Sequence, residues 1–104
     1  MYWLMTCKHR PDAGDLRERN RDRHRQHVAT GGGGIARVLI GSALTNDDGA
    51  TSIGNFGVLE APSREAALAF AENDPYALAG IVASIEITAL SSGFQAHRID
   101  PMTQ

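Results

Sequence analysis

The sequence predicts an α+β fold of the ferredoxin-like type, a β-α-β-β-α-β sandwich with a four-stranded antiparallel sheet. Three observations lead to it: short apolar segments bounded by turn signals predict strands, two segments without internal glycine or proline predict helices, and the two halves of the chain repeat one layout. The chain has 104 residues. We therefore expect a single domain over residues 1–104, with a core at about 2–94 and an irregular C-terminal tail.

The first half begins with an aromatic and apolar segment, Tyr2–Cys7, which favours a strand because a turn at Pro11–Gly14 follows closely. Asp15 is expected to cap the next element, a helix over residues 16–28 in which straight-chain residues dominate. The four glycines at 31–34 cannot continue this helix. We expect a flexible connection there.

The middle of the chain predicts an antiparallel pair of strands. Residues 35–44 are rich in Val, Ile and Leu, and residues 53–60 form a second such segment. Asn46–Gly49 between them is a strong turn signal. Gly54 and Gly57 mark a bulge, or a place where a ligand or another backbone comes close.

The second half predicts a helix, a single helical turn and a last strand. Ser63 suits the N-cap of a helix that ends near Asn73, and Asp74 suits the N-cap of a turn that runs through Ala79. Residues 81–90 alternate, which predicts a strand with one face in the core. The expected inward set is Ile81, Ala83, Ile85 and Ile87.

Two helices cover only one face of such a sheet. We expect the other face to carry Trp3, Val38, Ile40 and Phe56 or their neighbours. An apolar face of this kind is usually buried by a partner. The sequence therefore predicts a homodimer that packs sheet to sheet.

Composition narrows the function classes. Ten Lys and Arg stand against twelve Asp and Glu, so the surface as a whole cannot act as a polyanion-binding surface. Cys7 is the only cysteine, which argues against a disulfide framework or a cysteine-rich zinc module and suits a reducing compartment. No signal peptide or membrane-spanning run is recognised. We expect a cytoplasmic protein with no membrane partner and no cofactor.

The first helix lacks a normal core face. On a helical wheel Leu16 and Val28 are its only large apolar residues, and the sector between them carries Asn20, Arg23, His24 and His27. Buried polar side chains cost stability unless they find partners. We therefore expect the middle of this helix to border a polar cleft.

The alternating arginines of this helix have two interpretations. Arg17, Arg19 and Arg25 are expected to form a solvated, ion-paired surface with Glu18 and other nearby carboxylates. Arg21 and Arg23 lie nearer the histidines and are candidates to hold an anionic group of a substrate. Nucleic acid is not expected as a partner, because the arginines form no single stripe and no aromatic side chains stand between them.

Four further side chains have open roles. His24 and His27 share a helix face and suit a metal pair, but no third ligand has a diagnostic spacing, so no metal is predicted and His27 is assigned to substrate contact. His24 is either a hydrogen-bonded structural histidine or a general base. Asp74 is fully explained as a helix cap, and Tyr76 is a candidate hydrogen-bond donor.

Several short motifs together resemble the YciI-like (YCII-related) family. They are Arg21-x-x-His24, Gly41, Gly57-Val58-Leu59-Glu60 leading to Ser63-x-Glu65-Ala66-Ala67, Asp74-Pro75-Tyr76, and Gly80. The resemblance covers about residues 2–94. It implies a ferredoxin-like fold paired as a dimeric α/β barrel. It also implies an active site formed by His24 and Asp74.

The sequence thus predicts a small cytoplasmic enzyme. Its expected chemistry is general acid–base catalysis by His24 with Asp74, as proton abstraction, elimination, isomerisation or hydrolysis on a small aromatic or anionic substrate. By analogy, the family resemblance suggests dehydrochlorination of a substituted hydroquinone. The alternative is a dimeric small-molecule-binding or accessory protein without catalysis. A nucleic-acid-binding protein that uses the arginine helix is a third, weaker hypothesis.

Overall fold

The computed structural model describes residues 1–104 and confirms an α+β fold with one four-stranded antiparallel sheet. The elements are β1 (Tyr2–His9), α1 (Gly14–Gly34), β2 (Arg37–Thr45), β3 (Ser52–Glu60), α2 (Arg64–Glu72), α3 (Pro75–Leu78), β4 (Val82–Ala89) and a 3-10 helix (Ala96–Arg98). The strands lie in the order β2-β3-β1-β4, and each neighbouring pair is antiparallel. No helix is both long enough and apolar enough to cross a membrane.

The core lies between the sheet and the helices. Trp3 and Val38 face the helices and are almost fully buried there against Phe70 of α2, so their predicted place on the open face is wrong. The reason is that β1 is apolar on both sides: Tyr2 and Leu4 alternate with Trp3 and Met5. Because strand alternation has a period of two, such a pattern does not tell which set points inward.

A bulge changes the predicted alternation of β4. The register with β1 shifts between Lys8 and His9, so that Ser84 pairs with Lys8 and Val82 pairs with His9. Ala83 is the unpaired residue of the bulge and is exposed. Val82 packs against the core in the position predicted for Ala83. An extra residue of this kind turns the following side chains to the other face.

The start of α1 differs from the expected cap. The helix begins at Gly14, Ala13 occupies the N-cap position, and no side chain caps the helix. Asp15 lies inside the first turn instead. Its carboxylate still acts favourably there, because a helix N-terminus carries partial positive charge.

The glycine run is a defined turn rather than a flexible connection. Gly31, Gly32 and Gly33 have φ values of 62, 65 and 77°, in the left-handed region. The carbonyl of Gly31 accepts hydrogen bonds from the amides of Ile35 and Ala36. Only glycine adopts the left-handed conformation at several successive positions without strain. This run therefore allows the chain to reverse from α1 into β2.

The segment after β4 crosses from one sheet edge to the other. Phe94 packs on Tyr2, with ring centroids 5.5 Å apart, beside β4. At the β2 edge, the hydroxyl of Thr103 accepts from the amide of Val38 (2.7 Å) and donates to the carbonyl of Val28 (2.8 Å). The tail is mostly irregular in its backbone but is bound to the domain at both ends.

Candidate active site

His24 and Asp74 meet between α1 and the start of α3. Nδ1 of His24 lies 2.7 Å from Oδ2 and 3.0 Å from Oδ1 of Asp74. A carboxylate only accepts, so Nδ1 carries the proton of this hydrogen bond. In the neutral imidazole, the proton on Nδ1 leaves Nε2 with a free lone pair.

Asp74 serves two partners at once. It is the N-cap of α3, where its Oδ1 accepts from the amide of Tyr76 at 2.8 Å, while both carboxylate oxygens also face His24. The local sequence explains its position: Pro75 suits the first helical residue, and Asp is a preferred cap before it. Capping and the contact with His24 are therefore compatible, and the cap holds the carboxylate in one orientation.

Tyr76 packs directly against the histidine. Its ring is stacked on that of His24, with centroids 4.2 Å apart and an angle of 8° between the planes. The guanidinium of Arg17 lies 5.6 Å from the same ring centroid, and His9 meets the ring edge-on at 5.7 Å. Tyr76 is 4% exposed, so this stack fixes the plane of the His24 ring.

A cleft of about 420 Å³ opens beside this pair, between α1 and the helix-facing side of β2 and β3. Small residues form its floor, namely Gly41, Ala43 and Gly57. Side chains of α1 line one wall, and Asp74 and Tyr76 lie at its border. The cleft exists because α1 brings polar side chains, rather than large apolar ones, over a sheet surface that is itself made of small residues.

Two of the predicted contact residues lie elsewhere. Arg23 is exposed and does not line the cleft. His27 is also outside it: its Nε2 is 2.8 Å from the carbonyl oxygen of Phe70, and its ring stacks on the Phe70 ring at 4.4 Å. His27 thus packs α1 against α2. Arg21, His24 and Tyr76 do line the cleft.

The helix is rotated relative to the predicted orientation. Leu16 is 40% exposed, whereas Arg17 and Arg25, expected on the solvated surface, line the cleft beside Arg21. Residues 17, 21 and 25 follow the four-residue spacing of one helix face, and this spacing is the signal that could have found them. On α1, Arg21 pairs with Glu18 at 2.9 Å.

Two polar residues of the cleft region come from strands and have no sequence motif. Asn55 of β3 lines the cleft and is 9% exposed. Its Oδ1 lies 2.8 Å from Nε2 of His9, at the end of β1. Only the pairing of β1 with β3 brings these distant residues together.

No group of three or more His, Cys, Asp or Glu side chains is placed to hold a metal ion. The spacing of His24 and His27 suits two ligands of one metal ion, but the two side chains contact different partners. His24 contacts Asp74, and His27 contacts the carbonyl of Phe70.

Cys7 is expected to resist alkylation. Its thiol is buried, and burial, with a smaller effect of the Asp74 charge, raises its pKa to about 12. The thiolate is the reactive form, so reaction with iodoacetamide at pH 8 should be far slower in the folded protein than in urea. Mass spectrometry follows the reaction; equal rates in both states would contradict the burial of Cys7.

Comparisons with known proteins agree with this architecture. A model of the YCII-related domain matches residues 1–91. Among solved structures, the chain is similar to 5-chloro-2-hydroxyhydroquinone dehydrochlorinase (TftG) from Burkholderia phenoliruptrix AC1100, in complex with 2,5-dihydroxybenzoquinone. That similarity has a TM-score of 0.73 and 25% sequence identity, and it covers 89% of this chain and 96% of the other. No curated protein sequence matches the chain.

Proposed function

The chain belongs to the YCII-related family, and from that premise we propose that it is a small enzyme that uses His24 and Asp74 for acid–base chemistry on a small hydroxylated aromatic or quinone-like substrate. One observation carries the proposal: Nδ1 of His24 lies 2.7 Å from a carboxylate oxygen of the buried Asp74, beside a cleft large enough for one aromatic ring. This arrangement leaves Nε2 as a proton acceptor.

The proposed reaction is an elimination. Nε2 of His24 removes a proton from the substrate, and the electron pair released forms a new double bond. The leaving group departs from the substrate with its own bonding electrons. Asp74 stabilises the imidazolium that forms, since its carboxylate is hydrogen-bonded to Nδ1. The proton later returns to solvent from Nε2, which restores the neutral histidine.

The lining of the cleft supports this substrate class. Arg17, Arg21 and Arg25 bring positive charge to the α1 wall of the cleft, with Arg21 also paired to Glu18, and this charge favours a phenolate or another anionic ring substituent. Apolar side chains also line it, among them Met5 and Val28, and they suit a ring. The structural neighbour was solved with 2,5-dihydroxybenzoquinone, a ligand of this kind. That molecule is the first probe to use with this chain.

Replacing Asp74 with asparagine tests the role of the pair. The substitution keeps an oxygen for the amide of Tyr76, but the new amide group donates to Nδ1 of His24 and moves the imidazole proton to Nε2. His24 then loses its free lone pair, so kcat is expected to fall by about 10²- to 10⁴-fold. Steady-state kinetics with 5-chloro-2-hydroxyhydroquinone measures this change.

Asp22→Asn is the matched control, because Asp22 is exposed on α1 and has no ion-pair partner. It should leave kcat unchanged. An Asp74→Asn variant with the kcat of the parent protein would show that Asp74 acts only as a helix cap.

We also propose that the protein is a cytoplasmic homodimer that packs through the sheet face opposite the helices. Ile40 is 45% exposed on that face, and Phe56 beside it is half-buried. The free thiol of Cys7 suits the cytoplasm. Light scattering after size exclusion should give twice the chain mass of 11.1 kDa for the parent protein. Ile40→Glu should give the mass of a single chain. A parent protein of single-chain mass would contradict the dimer.

A further inference from the structure

His9 and Asn55 form a polar pair at the edge of the cleft that the proposed reaction does not use. Nε2 of His9 lies 2.8 Å from Oδ1 of Asn55. Asn55 is buried in the central part of β3, yet it lines the cleft. A side-chain amide at the floor of a ligand cleft offers one accepting end and one donating end. The partner of one end is His9; the other end has none within the protein.

The surroundings of His9 decide which ring nitrogen carries its proton. Nδ1 of His9 is buried and has no hydrogen-bond partner. Burial lowers the pKa of His9, the positive charge of Arg17 lowers it further, and the Asn55 hydrogen bond acts in the opposite direction. The ring is therefore neutral, with one proton. Nδ1 has no partner in either tautomer, but an orphaned N–H is rarer and costlier than an orphaned lone pair, so the favoured tautomer carries the proton on Nε2 and donates to Asn55.

Other charges around the His9 ring fit the same protonation. The carboxylate of Asp74 favours the charged ring and the His24 imidazole disfavours it, but both effects are smaller than that of burial. The positive charge of the Arg17 guanidinium opposes the effect of Asp74 and favours the neutral His9 ring. The Nε of Arg17 is also buried without a hydrogen-bond partner. A neutral His9 ring avoids repulsion from the Arg17 charge.

The orientation of Asn55 follows from this proton. Because His9 donates, the amide oxygen of Asn55 is its accepting end, and the amide nitrogen with its two hydrogens is left for the cleft. His24 offers an acceptor to the same cleft through Nε2. The cleft thus presents a proton acceptor from α1 and a fixed hydrogen-bond donor from the sheet floor.

We propose that Asn55, oriented by His9, is a specificity-determining donor that binds a second ring oxygen of the substrate, a phenolate or a quinone carbonyl, while His24 takes a proton elsewhere on the ring. The assignment rests on the proposed function and extends it. It predicts selection for rings that carry two oxygen substituents. His9 touches no substrate and is a positioning residue.

The first experiment is independent of any ligand. Long-range proton–nitrogen NMR correlations report which nitrogen of a histidine ring carries the proton, and His9→Gln assigns the His9 signals by their disappearance. The expected result is the tautomer with the proton on Nε2. A proton on Nδ1 would turn the Asn55 oxygen toward the cleft and overturn the inference, whatever the reaction of His24.

The second experiment measures the binding of 2,5-dihydroxybenzoquinone by calorimetry. Asn55→Asp replaces the amide nitrogen with a carboxylate oxygen, which removes the donor and adds a negative charge but keeps an acceptor for His9. Losing a hydrogen bond to a charged group should raise Kd by about 10- to 100-fold. Asn46→Asp, at an exposed turn residue, introduces the same charge away from the cleft and should leave Kd unchanged.

His9 variants separate positioning from packing. Glutamine places an amide donor near the position of Nε2, so His9→Gln should keep Kd within about threefold of the parent value. His9→Phe keeps an aromatic ring against Tyr76 but cannot donate, and it should weaken binding about tenfold. Equal Kd values for these two variants would contradict the positioning role.

The outcomes distinguish this inference from the proposed function. Unchanged binding in Asn55→Asp, with turnover still dependent on His24, overturns only the role of Asn55. A parent protein that does not bind 2,5-dihydroxybenzoquinone overturns the proposed substrate class and, with it, the binding role of Asn55. The His9 tautomer still shows whether the Asn55 amide nitrogen faces the cleft.

Discussion

Replacing His24 with glutamine is expected to lower kcat by about 10²- to 10⁴-fold, the usual contribution of a positioned general base. Glutamine can still donate a hydrogen bond to Asp74, so the fold is expected to remain. It has no nitrogen that accepts and releases a proton near neutral pH. Initial rates with 5-chloro-2-hydroxyhydroquinone, followed by chloride release, measure the effect.

His97→Gln is the control for this experiment, since His97 lies exposed in the 3-10 helix, away from the cleft. It should retain the parent rate. Full activity in His24→Gln would remove His24 from the reaction. If the parent protein and the variant bind the quinone equally and neither turns over a substrate, the chain is a binding protein rather than an enzyme.

Replacing Gly31 with alanine is expected to lower the free energy of unfolding by about 3 kcal/mol. A left-handed backbone costs a residue with a Cβ about 1–2 kcal/mol, and a new side chain that forces the backbone to shift adds a similar amount. At Gly31 both apply: φ is 62°, and an added Cβ would lie 1.9 Å from the carbonyl oxygen of Ala36. Urea denaturation followed by circular dichroism measures the loss.

Gly33→Ala is the matched control, because Gly33 also has positive φ (77°) but an added Cβ would meet no atom within 4 Å. Gly33→Ala should lower the free energy of unfolding only by the cost of a left-handed backbone, about 1–2 kcal/mol. Equal losses for the two variants would show that the close approach to Ala36 does not constrain the turn between α1 and β2.

The sequence pattern predicted the order of strands and helices because most boundaries have a local signal. The turn at Asn46–Gly49, the cap at Ser63 and the Asp74–Pro75 start of α3 all depend on residues next to one another. The inward face of β1 has no such signal, since both its alternating sets are apolar, and the predicted outward position of Trp3 is therefore wrong. Tertiary packing alone decided that choice.

The candidate site was predictable in part for the same reason. His24 and Asp74 each lie in a recognisable local motif, and the structure places them in contact. The rotation of α1 was not predictable, because Leu16 and Val28 are too few apolar residues to fix which side packs inward. Arg17 therefore lines the cleft where Arg23 was expected. Asn55 depends on strand pairing with β1, which no local pattern specifies.

The most direct test of the account is a crystal structure of the protein with bound 2,5-dihydroxybenzoquinone. The ring is expected in the cleft between α1 and the sheet, with one ring oxygen within about 3.2 Å of Nε2 of His24 and Nδ1 still bonded to Asp74. A ligand bound outside this cleft, or a His24 ring turned away from Asp74 in the complex, would contradict it.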